Sequence, residues 1–150
     1  MKNNKMEIAS SSFYPYQYLL SRHTCEGENV NPYLKVYSLP ENTESIVLII
    51  KNRKFGFIHW AVFDIVPTGD SLEIYEDEIP IGIQAKNDSG HNYYEGPCPS
   101  HGEQEYSFKV YALDKLLGLD ETSKADDLEK EMKGHIIDEV EIIGKYTKQY

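Results

Sequence analysis

Two short apolar runs constrain this chain more than any other feature: SIVLIIK at residues 45–51 and IHWAVFDI at residues 58–65. In a strand, successive side chains point to opposite faces, so a run that is apolar at both parities describes a strand covered on both sides. Each run predicts a central strand, and residues 52–56 between them supply a turn that makes the two strands neighbours. A third strand is predicted over residues 105–113, with Tyr106, Phe108, Val110 and Ala112 on one face and Ser107, Lys109 and Tyr111 on the other. Weaker strand patterns occupy residues 7–11, 33–38 and 139–146. One amphipathic helix follows residue 123: Ser123 caps it, Asp126 and Asp127 fall in its first turn, Leu128 and Met132 share a face, and Gly134 ends it. The reading is a mainly β chain.

The chain has 150 residues, the size of one domain, and no linker or internal repeat divides it. Lys plus Arg number 15 against 25 Asp plus Glu, a net charge of −10, which argues against nucleic acid or an acidic membrane surface as partner. The longest aliphatic run, residues 46–50, is far too short to span a bilayer. Lys2 and Lys5 are not followed by the apolar stretch of an export signal, so the chain reads as cytoplasmic. Cys25 and Cys98 form no CxxC pair and are expected to be reduced thiols, with no disulfide between them. Twelve tyrosines fit a strand-rich chain.

Two polar segments, residues 65–80 and 84–104, exceed the usual connection length and are read as functional or disordered. The second holds NDSGHNYYEGPCPSHG at residues 87–102, in which Gly-Pro-x-Pro stiffens the backbone and removes two donors, as suits the wall of a pocket or a structural turn. His59, inside an apolar strand, is either a core histidine bonded to a backbone carbonyl or a donor at the floor of an anion pocket. Cys98 and His101 stand three apart and are the minimum for a thiolate nucleophile, though no third group orients them. The five histidines show neither HxH nor HxxxH spacing, and Glu73, Glu76, Asp77 and Glu78 lack the pattern of a calcium loop, so no metal site is expected.

Taken in order, TCEGENVNP at residues 24–32, LPENTES at 39–45, the His59-Trp60 strand, NDSG at 87–90, YEGPCP at 94–99, YSFKVYALD at 106–114, MKGHII at 132–137 and EIIGKY at 141–146 resemble the phosphatidylethanolamine-binding protein family, in its bacterial and archaeal Raf kinase inhibitor-like branch. The resemblance implies a β-sandwich: a large central Greek-key sheet, a smaller sheet packed on it and a few peripheral helices. It also implies a pocket at one end of the sheet for phosphate or similar anions, with no metal or organic cofactor. The family builds that pocket from an Asp in a D-P-D-A-P loop, a His before Trp, the G-P-x-P loop, and the His and Tyr of an H-R-Y motif.

Carried over by position, His59, Pro97, Cys98 and Tyr106 match. This chain departs at the other two elements. KNRKF at residues 51–55 stands in place of D-P-D-A-P, with Asn52 at the position of the first Asp, and Gln104-Glu105-Tyr106 replaces H-R-Y. Loss of the Asp should lower the pKa of His59, and both changes should weaken anion binding. Two compensations are open: Lys51, Arg53 or Lys54 folding over the pocket, or His101 filling the space of the missing His. The expected function is that of a non-enzymatic, regulatory small-anion or phosphorylated-head-group binder. The alternatives are a decayed pocket that leaves a protein-contact surface, and a Cys98-dependent hydrolase. Dimerisation is in keeping with the branch, but no strip of sequence marks an interface.

Overall fold

The computed structural model describes residues 5–100 and 102–149. Eight strands and one α-helix run β1 Glu7–Ala9, β2 Leu34–Tyr37, β3 Ser45–Asn52, β4 Ile58–Ile65, β5 Leu72–Ile74, β6 Ile83–Gln84, β7 Glu103–Leu113, α1 Ala125–Met132 and β8 Ile136–Thr147, with a short 3₁₀ turn at Ser21–His23. They form two antiparallel sheets, ordered β1-β2-β5 and β6-β4-β3-β7-β8. Within the larger sheet, β3, β4 and β6 lie side by side in chain order and β7 returns beside β3, the 4-1-2-3 order of a Greek key. The return from β6 to β7 is residues 85–102, the stiff Gly- and Pro-containing segment.

Both predicted central strands are central, and each is covered on both faces. Ile46, Leu48, Ile50, Trp60, Val62, Tyr106, Phe108 and Val110 pack against Leu34, Val36 and Ile74 of the smaller sheet. On the opposite face, Val47, Ile49, Ala61, Phe63 and Tyr111 pack against Leu117, Leu128 and Met132. Full burial of an aliphatic side chain contributes about 1.5–3 kcal/mol, so the two-faced pattern of β3 and β4 commits them to the middle of the sheet.

Three expectations are corrected. The segment 65–80 contains β5, a three-residue strand too short to show a period. Strand β8 begins at Ile136, three residues before its apolar pattern, because its first half pairs with the outer part of β7. The N-cap of α1 is Lys124, not Ser123: Lys124 N donates to Asp127 Oδ2 at 2.9 Å, while Ser123 N donates to the Asp120 carbonyl. Among the described residues no helix is long and apolar enough to cross a membrane.

Candidate ligand pocket

The end of the larger sheet where β3 stops, β4 starts and β7 enters carries a cavity of about 380 Å³. That is within the range of small-molecule sites. Asn52, His59, Gln104 and Tyr106 line it from the sheet, Gly96, Cys98 and Pro99 from the crossover loop, and Phe55 and Phe57 from the β3–β4 turn.

Register places the sheet residues. Asn52 lies opposite Tyr106 across β3 and β7. Between β3 and β4, Ile50 pairs with Trp60 but Lys51 pairs with Ile58, so His59 is the extra residue of a β-bulge. A bulge breaks the alternation of side chains and re-aims the residue it holds. Strict alternation would have put His59 on the face of Ala61 and Phe63; instead its ring stands edge-on to Tyr106, at 5.4 Å between centroids, and against Phe57 at 5.0 Å.

His59 Nδ1 donates to the Glu95 carbonyl at 2.8 Å, which leaves Nε2 with the lone pair of the neutral ring. Burial lowers the pKa of His59, and the bond to Glu95 opposes the shift only in part. The low pKa therefore has desolvation as its main cause, rather than the missing acidic neighbour. Burial likewise pushes the Tyr106 phenol up to about 12, against a smaller opposite effect of its hydrogen bond with Asn52, so this hydroxyl keeps its proton. Burial also acts to raise the Glu95 carboxyl, but its bonds from His91 and Asn87 outweigh that and hold it below its ordinary value.

The two departures from the family pattern meet in space. Asn52 Nδ2 donates to Gln104 Oε1 at 3.1 Å, while Asn52 Oδ1 accepts from the backbone of Lys54 and Phe55, both at 2.9 Å, and so closes the turn. With its carbonyl held, Gln104 has its amide NH₂ without a partner among the described residues. A neutral amide pair thus stands where the family carries Asp and His.

The loop wall is held differently. Cys25 and Cys98 form a disulfide, with Cα atoms 5.3 Å apart, contrary to the expected free thiols. The bond spans 73 residues of sequence because the stretch after the 3₁₀ turn and the loop at 94–98, which belong to two of the family-like motifs flanking the pocket, lie side by side. Cys25 N donates to the Pro97 carbonyl at 3.1 Å, Gly96 N to Asn29 Oδ1 at 2.7 Å, and the buried Tyr94 hydroxyl to the His23 carbonyl at 2.6 Å. Gly96 has no room for a side chain: a Cβ there would stand 2.1 Å from the His23 carbonyl oxygen.

Of the residues expected at the site, Asn52, His59, Cys98, Gln104 and Tyr106 are brought together. Pro97 is buried behind the wall and does not line the cavity, and His101 lies outside the described residues. The cations proposed as compensation are elsewhere: Arg53 pairs with Glu105 at 2.8 Å, Lys54 lies over the Phe55 ring, and Lys51 faces a separate recess beside α1. Among the described lining residues there is no Lys or Arg. As a disulfide sulfur, Cys98 offers no thiolate, which removes the observation behind a Cys98 hydrolase. Sequence reasoning missed Phe55, Phe57, Ser89, Glu95 and Ser100, which also line the cavity; the turn and loop that carry them show no period from which a facing direction can be read.

The molecule is thus a two-sheet β-sandwich with a cavity at one end of its larger sheet, where a bulged histidine meets a crossover loop. The profile of the phosphatidylethanolamine-binding protein family matches residues 9–147, and the chain belongs to that family. A UPF0098 protein of Pyrococcus horikoshii is 39% identical over 97% of this chain and 79% of its own length, and one of Aquifex aeolicus is 38% identical over 95% and 89%. Among solved structures, a phosphatidylethanolamine-binding protein homolog from Chlamydia trachomatis superposes with a TM-score of 0.90 at 30% identity, covering 98% of this chain and all (100%) of that one. YbcL of E. coli, described as a member of the mammalian family, gives 0.87 at 26% identity over 97% of this chain and 100% of its own.

Proposed function

We propose that this protein binds a compact anion or phosphorylated head group in the cavity at the end of the larger sheet, without turnover, and acts as a regulatory binding protein. The observation that carries the reading is the convergence of the Gln104 amide, the Tyr106 hydroxyl and the His59 ring on one cavity, with the Asn52–Gln104 bond fixing the orientation of the amide. Neutral donors without a cation hold a dianion weakly, since each charge-assisted bond is roughly twice as strong as a neutral one. Phosphate affinity is therefore expected in the millimolar range, about −4 kcal/mol, and rises as His59 protonates below neutral pH.

A second reading, a pocket that has lost ligand binding and leaves a protein-contact surface, draws support from the same absence of Lys and Arg among the described lining residues. Titration of the histidine side chains by NMR with inorganic phosphate and phosphoethanolamine separates the two. Saturable shifts at His59, accompanied by shifts of the Tyr106 ring that are lost in His59→Ala, support ligand binding. Unchanged spectra at tens of millimolar ligand, about tenfold beyond the expected dissociation constant, favour the second reading.

A further inference from the structure

The disulfide in the cavity wall has chemistry that the ligand reading does not use. Cys98 lines the cavity and Cys25 does not, and both residues are solvent-exposed. An exposed disulfide is the labile kind: exchange proceeds by attack of a thiolate on one sulfur, and its rate depends on access to that sulfur. The wall does not rest on this bond alone, because the bonds from Cys25 N to Pro97, from Gly96 N to Asn29 and from the Tyr94 hydroxyl to His23 tie the same two segments together. The disulfide can open while the loop stays in place.

We propose that the Cys25–Cys98 disulfide is a site of thiol–disulfide exchange, at which a low-molecular-weight thiol entering the cavity becomes attached to Cys98. The incoming thiolate sulfur bonds to Cys98 Sγ as the Cys98–Cys25 bond breaks, and the electron pair leaves on Cys25 Sγ, which takes a proton from solvent. One disulfide replaces another, so no outside oxidant or reductant is consumed. The attached group occupies the space beside His59, and modification and ligand binding exclude each other. The inference rests on the reading of the cavity as a ligand site only in requiring that a small molecule can enter it.

Cysteamine is a suitable probe, being small and carrying a positive charge toward a chain of net charge −10. The intact protein is exposed to cysteamine, quenched early with iodoacetamide, and its peptides are mapped by mass spectrometry. The expected product carries cysteamine on Cys98 and the alkyl group on Cys25, formed at a rate within about tenfold of that of an open peptide disulfide, with a shift of the His59 ring signals in the adduct. The reverse distribution, no adduct under conditions that exchange the peptide, or an adduct on Cys98 that leaves His59 unmoved would overturn the proposal. Because adduct formation is read by mass, it is decided independently of whether phosphate binds. A cavity that takes the adduct but not phosphate would refute the anion reading alone.

Discussion

The cavity has two walls built on different principles. The sheet wall is fixed by ladder registers: Asn52 lies opposite Tyr106, and the bulge at His59 is set by its flanking pairs. The loop wall has no ladder. A disulfide, two hydrogen bonds to backbone carbonyls, one to the Asn29 side chain and a glycine with no room for a Cβ clamp residues 94–98 to residues 23–29. The first wall inherits the stability of the core; the second has only its local ties, so the two should respond separately to substitution.

The largest expected effect tests the loop wall. In the chain-entropy account, a cross-link closing a loop of this length stabilises by about 4 kcal/mol, so Cys25→Ser with Cys98→Ser should lower the urea midpoint by a corresponding amount. Trp60 is the chain's single tryptophan and stands edge-on to Tyr94, so its fluorescence follows the transition. In this variant, native-state hydrogen exchange at Gly96 should proceed through a local opening of lower free energy than global unfolding, while the amides of β3 and β7 exchange only through global unfolding. An opening free energy at Gly96 equal to that of β3 and β7 would erase the distinction between the walls.

Gly96→Ala comes next. Its methyl meets backbone rather than a flexible side chain, and overpacking of this kind costs about 1–3 kcal/mol. Calorimetry should show the loss, and a variant as stable as the parent would mean that the clamp yields easily.

A smaller effect sharpens the account of the sheet wall. Asn52→Asp places a carboxylate near His59, raising its pKa, and Gln104→His supplies a partner for that carboxylate. The two changes should be non-additive by about 1 kcal/mol in phosphate affinity, with the double variant binding more tightly than either single one. Additive titrations would show that the two side chains do not act as a pair.

The smallest effect is set by pH. Burial lowers the pKa of both His23 and His59, so the unfolded chain binds more protons than the folded one below the ordinary histidine pKa of about 6.5. Stability should fall as the pH drops through that value and continue to fall toward the folded-state pKa values. Denaturant midpoints measured across this range for the parent and for His59→Phe check the sign; the slope should be shallower in the variant.

Much of the fold was legible because it obeys a period. The two-sided apolar runs of β3 and β4 and the alternation of β7 describe strands whose covering layers can be inferred before they are seen. What was not legible broke the period or spanned a distance. Strands β5 and β6 have three and two residues, fewer than alternation needs to declare itself. The bulge at His59 reverses the facing that strict alternation gives, so the residues alone left His59 open between core and pocket, and the family resemblance favoured the pocket. The Asn52–Gln104 bond joins residues 52 positions apart, and the disulfide joins residues 73 apart. The expectation of reduced thiols rested on an assumed compartment, which says nothing about which loops a fold brings together.

The central claim is that the cavity receives a compact anion through His59, Gln104 and Tyr106. A crystal structure of the protein grown with phosphoethanolamine tests it most directly. In crystals held at a pH low enough to protonate His59, ligand density is expected within hydrogen-bond distance of the Gln104 amide nitrogen, the Tyr106 hydroxyl and His59 Nε2, with the Asn52–Gln104 bond intact. An empty cavity at saturating ligand, or density held only by Lys and Arg side chains outside it, would contradict the account.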